Sequence, residues 1–569
     1  MTVFLLAFGA MAARLVTLQI VERPAYARLA AEQREREVTF PARRGTIFDR
    51  HGEALAISVD LQTVFADPLH VEDPAAEGAE LAPVLDRDPA ELAAKLQGAV
   101  PGDRFEFLAR QVAPEVAEAV EDLDLPGVYL QEEAKRYYPG GRLASHVLGL
   151  VDIDGKGIAG IESQYESILQ GRPGVMRLEQ DPAGRPLPQA DLEYRQARPG
   201  RSLLLTIDKE IQFFVELTLA RAVETYSADA GSAIVMRPAT GEILALANVP
   251  DYDPNEVDDT DLETQRNRAV TDVYEPGSSY KIVTASGALE ADVVTPHTMF
   301  DVPDTFAYSD RVFHDSHPHA PAAMSVAEII EQSSNVGTIK IGLELGAKRL
   351  DKYVHRFGFG SATGLDFPGE SPGIVLPREQ WSGPTIATVP IGQGVAVTAM
   401  QMTAAYAALA NDGVWVEPKL LLATMDQSGD LARSAAPAVR RIVSQRTAEQ
   451  MERILRRVVA TGTGIEAQIP GYDVAGKTGT AQKPLPTGGY GNSYVASFGG
   501  FAPAARPEVV VLVVLDEPYP IWGGATAAPT FRTITEFALR QLGVRPTGNA
   551  SRAARAIEES VSEEPPAHD

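Results

Sequence analysis

The sequence predicts an α+β enzymatic domain built on an antiparallel sheet, preceded by a β-rich domain and an N-terminal apolar helix. Three observations carry that expectation. Apolar strand patterns stand at both ends of residues 201–545, with helical patterns between them. Residues 22–200 alternate short apolar runs with Gly- and Pro-containing turns. The chain opens on "MTVFLLAFGAMAARLVTLQIV".

That opening segment reads as a single membrane anchor over residues 1–21. Thirteen residues precede Arg14. As a helix they rise about 20 Å, against roughly 30 Å for a bilayer core. The apolar pattern continues beyond Arg14 through Leu15, Leu18 and Ile20. The expectation is therefore the outer part of an anchor whose inner end is missing, with a buried N-terminal helix as the competing reading. A signal peptide would show a basic n-region and an A-x-A cleavage site, and neither is clear.

Residues 22–200 read as a non-catalytic pedestal or dimerisation-type domain. "RRGTIFDRHGEALAIS" (Arg43–Ser58) alternates around an Arg-His-Gly turn, as a hairpin does. An acidic, Ala-rich helical stretch follows over Ala79–Leu123, and "RQARPGRS" (Arg195–Ser202) has the composition of a linker. From Leu203 a strand leads into a helix with Asp208 near its N-cap. "GSAIVMRPATGEILALAN" is a hairpin pattern around Pro-Ala-Thr-Gly. "YVASFGGFAPAARPEVVVLVVLDEP" gives two further strands, and "APTFRTITEFALRQLG" a closing helix. Residues 546–569 read as a disordered acidic tail.

Composition narrows the chemistry. A net charge of −26 opposes binding to nucleic acid. The chain has no cysteine, so disulfides, thiolate metal sites and a cysteine nucleophile are excluded. The histidines in "FHDSHPHAP" (His314, His317, His319) read as a polar loop rather than a metal site, because no helix face or carboxylate pattern supports one. No cofactor is implied.

Catalytic potential concentrates in three short strings. In "YEPGSSYKIVTASGALE", Pro276-Gly277 breaks the chain and Ile282, Ala285 and Leu289 then recur at helical spacing. Ser278 therefore opens a helix, where free N–H groups favour developing negative charge. Lys281 lies three residues on, over the same face. A lysine serves as a base only when neutral, and lowering its pKa from 10.4 to 7.5 costs about 4 kcal/mol. Burial and a second cation supply that. Alone, this S-x-x-K pattern reads better as an N-capping serine beside a solvent lysine. "EQSSNVG" then supplies Ser333 and Asn335 as S-x-N, and "DVAGKTGTAQK" supplies Lys477, Thr478, Gly479 and Thr480 on a strand-like segment. S-x-x-K, S-x-N and K-T-G in this order form the motif set of penicillin-recognising serine enzymes.

With these motifs the sequence resembles the class B penicillin-binding proteins, and is closest to their division-specific, FtsI-like branch. "RGTIFDRHGEALA", "GIESQYESILQG" and "RLVTLQIV" resemble that family's N-terminal strings. The elongation branch typically carries an aspartate where Asn335 stands. The resemblance implies a penicillin-binding/serine β-lactamase-like transpeptidase fold over 201–545. It implies that Ser278 attacks the penultimate D-Ala carbonyl of a peptidoglycan stem peptide, with Lys281 as base. Ser333 would relay the proton to the leaving D-Ala, and Asn335 would hold Lys281 and the substrate amide. Lys477 would supply positive potential, with Thr478 and Thr480 on the terminal carboxylate and backbone N–H groups of Ser278 and Thr480 as the oxyanion hole. It further implies acylation by β-lactams, a single-pass cytoplasmic-membrane location with the catalytic domain outside, and partnership with an FtsW-like glycan polymerase and other divisome proteins at the septum.

Gly392-Gln393-Gly394 also resembles the family, with a turn before a packed helix as its reading. Three other functions compete: a β-lactamase or penicillin sensor, a bifunctional glycosyltransferase, and an inactive scaffold. The Leu-Asn dipeptide of a class A deacylation motif does not occur. The N-terminal region lacks the helical character of a glycosyltransferase, and all three motifs are intact.

Overall fold

The computed structural model describes residues 1–21, 35–40, 42–99, 104–179, 193–257, 260–485 and 487–546. The expected acidic tail lies, beyond Pro546, outside the described residues. The chain packs as two compact units. One comprises Met1–Gly45, Ser58–Arg136 and Ser167–Ser202; the other comprises Thr46–Ile57, Tyr137–Glu166 and Leu203–Asp569.

The units are thus interleaved, where the sequence suggested contiguous blocks at 22–200 and 201–545. Long-range pairing explains the difference. Ile47 and Phe48 pair in parallel with Leu203 and Leu204. Asn267 Nδ2 donates to the His146 carbonyl at 3.1 Å, and Asn255 Nδ2 to the Tyr138 carbonyl at 3.0 Å. Local periodicity carries no signal for partners so far along the chain.

In the first unit, Thr2–Val16 is α-helical and continues as a π-helical turn over Thr17–Val21. The apolar span Thr2–Ile20 holds 19 residues. It rises about 28 Å, close to the roughly 30 Å of a bilayer core. Arg14 therefore does not end the apolar helix, and the span is longer than the run before Arg14 suggested. Further on, Glu35–Phe40 pairs antiparallel with Gly174–Glu179. The helical Ala79–Leu123 stretch comprises three helices, Pro74–Leu85, Pro89–Leu96 and Pro114–Asp122, and departs from the expectation in a strand over Glu106–Val112. That strand buries Leu108 against Val64, Leu81, Leu92 and Val120. Each of the first two helices starts at an Asp-Pro pair, with Asp73 and Asp88 capping the free N–H groups.

In the second unit, the Arg50–Glu53 turn closes the predicted hairpin. Asp49 Oδ1 accepts from the His51 and Glu53 N–H groups at 2.8 and 2.9 Å. The main elements follow in order: α1 (Lys209–Thr225), β1 (Ala230–Met236), β2 (Ile243–Val249), α2 (Lys281–Glu290), α3 (Asn335–Leu345), α4 (Ala399–Ala410), α5 (Gln445–Ala460), β3 (Ala475–Pro484), β4 (Tyr490–Ala502), β5 (Val509–Asp516) and α6 (Ala527–Gln541). Asp208 caps α1 as predicted.

The five strands form one sheet in the order β2-β1-β5-β4-β3, antiparallel throughout. The first and last strands of the domain are therefore neighbours, as the strand distribution predicts. β1 is buried on both faces, which explains its lack of polar alternation, and its one hydroxyl, Ser232, donates to Asn248 Oδ1 at 2.8 Å. On one face, Ile211, Val215 and Leu219 of α1 and Phe531 and Ile534 of α6 pack on Val235, Val511 and Val513. α4 is buried along its whole length, so its apolar residues surround it rather than forming one stripe. β3 is left as the edge strand, and it carries Lys477, Thr478, Gly479 and Thr480.

Candidate active site

Gly277–Tyr280 forms a 3-10 turn that runs directly into α2. Ser278 sits in this turn and Lys281 begins the helix. Gly277 has φ +52°, and a Cβ there would meet Ala481 Cβ at 3.0 Å and the Thr480 carbonyl at 3.1 Å. The left-handed backbone and the close approach both call for glycine. The same approach brings the turn against β3. Gly479 completes the fit, since a Cβ there would meet Ser497 Oγ at 2.3 Å and the Pro276 carbonyl at 3.0 Å. The last residue of K-T-G therefore has to be glycine for packing reasons. Ser279, the neighbouring serine, is fully buried and donates to the Pro276 carbonyl at 2.7 Å, which makes it structural.

The S-x-N string forms the turn before α3. Ser334 caps α3 by accepting from the Gly337 N–H at 2.9 Å. Ser333 has φ +60°, a strained conformation for serine that needs support from its surroundings. Both lysines provide it. Lys281 Nζ donates to the Ser333 carbonyl at 2.6 Å and to Asn335 Oδ1 at 2.8 Å, with Ser333 Oγ at 3.4 Å. Lys477 Nζ donates to Ser333 Oγ at 2.8 Å, and to the Thr478 carbonyl and Oγ1 at 3.2 Å each. Ser333 Oγ therefore lies between the two amines.

Both lysines are 0% exposed. Burial lowers the Lys281 amine to about 7, against a partial opposing pull from the Asp315 carboxylate. Burial, then the nearby Lys281 charge, lowers Lys477 as well. Two adjacent buried ammoniums repel, so one proton is readily lost. Each amine has three oxygen acceptors, and the longest of these contacts, Lys281 Nζ to Ser333 Oγ at 3.4 Å, is the one a neutral Lys281 can give up.

A cleft of about 680 Å³ joins these groups. Ser278, Ser333, Asn335, Thr478 and Thr480 line it. Gly479 lies in β3 with its backbone packed on the nucleophile turn. Thr478 Oγ1 is 2.8 Å from Thr463 Oγ1, and Thr480 Oγ1 accepts from the Gly523 N–H at 3.1 Å. All eight sequence-predicted site residues (Ser278, Lys281, Ser333, Asn335, Lys477, Thr478, Gly479 and Thr480) thus converge, although Ser333 and Lys477 are 144 positions apart.

Thr463 and Trp522 escaped the sequence reading, and Gln393 and His317 were read only as a turn and a polar loop; all four line the cleft, and His317 stacks on Trp522 with ring centroids 5.9 Å apart. The Gly392 carbonyl accepts from the Gly277 N–H at 3.2 Å, so the Gly392–Gly394 turn buttresses the nucleophile turn and also places Gln393 in the cleft. The three loop histidines form no metal cluster among the described residues. Their loop instead borders S-x-N: the His314 carbonyl accepts from Asn335 Nδ2 at 2.9 Å. A separate cavity of about 560 Å³ lies behind the turn and shares Gln482 with the cleft. Glu275, Lys483 and Asp516 are among the groups lining that cavity, but the three motifs all open on the larger cleft.

Comparison with known proteins agrees with this geometry. Residues 231–536 match the penicillin binding protein transpeptidase domain, and residues 39–205 the penicillin-binding protein dimerisation domain. The chain belongs to the class B penicillin-binding proteins. It is 33% identical over 549 residues to peptidoglycan D,D-transpeptidase FtsI of Escherichia coli, spanning 95% of this chain and 91% of that one. It is 34% identical over 568 residues to stage V sporulation protein D of Bacillus subtilis, spanning 96% and 86%. A peptidoglycan synthetase of Bifidobacterium adolescentis superposes with TM-score 0.75 at 31% identity, over 90% of this penicillin-binding protein and 98% of that chain. Penicillin binding protein 3 of Mycobacterium tuberculosis complexed with aztreonam superposes with TM-score 0.71 at 31% identity, over 90% and 98%.

Proposed function

We propose that this penicillin-binding protein is a membrane-anchored peptidoglycan D,D-transpeptidase that works through a Ser278 acyl-enzyme. The observation that carries this reading is Ser333 Oγ, 2.8 Å from Lys477 Nζ and 3.4 Å from Lys281 Nζ, in the cleft that Ser278 lines. Such an arrangement provides a nucleophile, a neutral base, a fixed cation and a hydroxyl able to pass a proton between them.

The steps follow from the donor and acceptor inventory. Neutral Lys281 takes the proton of Ser278 Oγ as that oxygen attacks the penultimate D-Ala carbonyl. The oxyanion forms against backbone N–H groups of Ser278 and Thr480, a contribution of about 3–4 kcal/mol per donor in comparable sites. The proton then passes from Lys281, by way of Ser333 Oγ, to the leaving D-Ala nitrogen as its C–N bond breaks. Lys477, Thr478 and Thr480 hold the terminal carboxylate, and Asn335 holds both Lys281 and the donor amide. The amine of a second stem peptide attacks the acyl-enzyme carbonyl, Lys281 takes its proton and hands it to Ser278 Oγ as the Oγ–acyl bond breaks, and neutral Lys281 and the Ser278 hydroxyl are restored. β-Lactams acylate Ser278 in the same geometry, as mimics of D-Ala-D-Ala.

The catalytic unit works outside the cytoplasmic membrane, tethered by the N-terminal helix. We place its work at the division septum beside an FtsW-like glycan polymerase and other divisome proteins, on the strength of Asn335 in S-x-N and the likeness to FtsI. Residues 1–21 act as anchor, 22–200 as pedestal and 201–545 as transpeptidase, with Thr46–Ile57 and Tyr137–Glu166 packed into the catalytic unit. Fluorescent penicillin tests the chemistry: it labels the wild type and fails to label Ser278→Ala. Labelling that persists in Ser278→Ala removes the nucleophile assignment, and an unlabelled wild type favours the scaffold. Depletion tests the place: filaments support division, and round cells support elongation.

A further inference from the structure

The loop carrying the histidines grips the S-x-N turn from the side opposite the lysines. Asp315 keeps only 7% of its side chain exposed. Its Oδ1 accepts from the Val336 N–H at 2.9 Å, and its Oδ2 from Ser334 Oγ at 2.7 Å. Through the adjacent His314 carbonyl, the same loop holds Asn335 Nδ2, and Asn335 Oδ1 is thereby turned to Lys281. Residues 334–336 are thus all fixed by residues 314 and 315, next to a serine held at φ +60°.

His319 completes the arrangement. Its Nε2 lies 3.0 Å from Asp315 Oδ2 and its Nδ1 lies 2.8 Å from the Ala320 carbonyl. A carboxylate and a carbonyl can only accept. A neutral imidazole has one N–H, so filling both contacts requires two and therefore an imidazolium. The charged groups facing His319 are Asp315 and Asp304, and both favour its cationic form. The charged group facing Asp315 from across the turn is Lys281. Left alone, the Asp315 carboxylate draws a proton onto Lys281, which is the wrong state for a base.

We propose that Asp315 and His319 form a positioning ion pair, in which Asp315 locks the S-x-N turn and the His319 cation shields Lys281 from the Asp315 charge. The idea rests on Lys281 being the base of the reaction proposed above. Asp315 borders the cleft, and in the proposed steps both residues act through Lys281 and the S-x-N turn rather than on the reacting atoms. The hydrogen bonds to Ala320 and Asp315 also raise the His319 pKa above its ordinary value.

The test is the pH profile of acylation by a penicillin, measured on the full chain. The wild type speeds up as Lys281 loses its proton. In His319→Gln the rising limb moves up by about half a pH unit. Acylation near pH 7 then falls about twofold, approaching threefold below the limb, and recovers fully in alkali. His319→Arg, which keeps the positive charge, retains the wild-type limb. A purely structural role would lower the rate equally at every pH. That result, or an unmoved limb, overturns the proposal.

A second readout needs no acylation. The His319 ring, titrated by NMR, has a midpoint above the ordinary 6.5 in the wild type, and the midpoint drops in Asp315→Asn. A wild-type midpoint at or below 6.5 overturns the pair even if the variants do not fold. A wild type that no penicillin acylates overturns the transpeptidase reading instead, and the NMR result still decides the ion pair.

Discussion

The capped helices of the first unit and the cleft of the second satisfy their polar groups in opposite ways. Asp73 and Asp88 each bond N–H groups two and three residues ahead, at the solvent-exposed start of a helix. Lys281 and Lys477 are fully buried and bond residues 52 and 144 positions away. The caps agree with local propensity at every level. The cleft goes against it, with two buried amines and a left-handed serine. Such local conflict is expected where function rather than stability selects the residue. The contrast implies that changes in the cleft alter activity far more than folding, and that changes at the caps do the reverse.

The strongest challenge to that contrast is Lys281→Met, which keeps side-chain volume and removes the base. Acylation by a penicillin should fall by a factor of about 10³ to 10⁴, read as the second-order labelling rate. Folding should respond mainly in its pH dependence. The amine sits at about 7 in the folded protein and near its ordinary 10.5 when unfolded. Between those values the unfolded chain binds more protons, so stability rises with pH. The burial penalty is complete below the folded value and relieved towards 10.5. Denaturant midpoints measured from pH 7 to 10 should rise less steeply in Lys281→Met than in the wild type. An equal slope would show that Lys281 titrates normally, and the cleft would then lose its distinction from the caps.

Gly479→Ala is the next largest effect. Its Cβ would meet Ser497 Oγ at 2.3 Å and Ser279 Cβ at 3.1 Å, so either β4 or the nucleophile turn has to move. Overpacking of this kind costs about 1–3 kcal/mol. A displaced turn slows acylation by about 10²-fold. A variant that loses stability while acylating normally would show that β4 yields and the turn does not. The wild-type pH profile is a smaller, tenfold-scale test: acylation should increase through pH 7, where Lys281 becomes neutral. A flat profile would leave Lys281 without a role as base.

How much of this was legible in the sequence differs between the same two regions. Ser278, Lys281 and Lys477 were legible because few residue types can do the chemistry and their spacing is fixed. The sheet was legible from unbroken apolar strands at both ends of the domain. Asp315 was hidden among three histidines read as a polar loop, and its partners Ser334 and Val336 lie some 20 positions on. Trp522 had no motif at all. The strand Glu106–Val112 was absorbed into a helical reading because "EFLARQV" is compatible with either period, and only its pairing with Ala54–Ala66 decides. The interleaving of Tyr137–Glu166 with the second unit rests on hydrogen bonds such as Gln164 Nε2 to Asp366 Oδ1, which span 202 positions. Local signals reach caps and turns, and chemical signals reach catalytic groups, but neither reaches the contacts that bring distant segments together.

The smallest effect tests the other side of the contrast. Asp88→Ala removes the cap that accepts from the Ala90 N–H at 2.7 Å and the Glu91 N–H at 3.2 Å. Those N–H groups are at the surface, so water replaces the carboxylate and the loss is the usual capping energy of about 1 kcal/mol. Pro89 still presets the first helical turn, which limits the damage further. Denaturant unfolding should show the first unit weakened by that amount while penicillin acylation stays at the wild-type rate. A slower acylation would mean that the helix Pro89–Leu96 influences the cleft, and the scaffold could no longer be treated as energetically separate from the chemistry. An unchanged rate with a lowered midpoint is the outcome that local satisfaction predicts, because a cap that serves only its own helix has no route by which to reach Ser278.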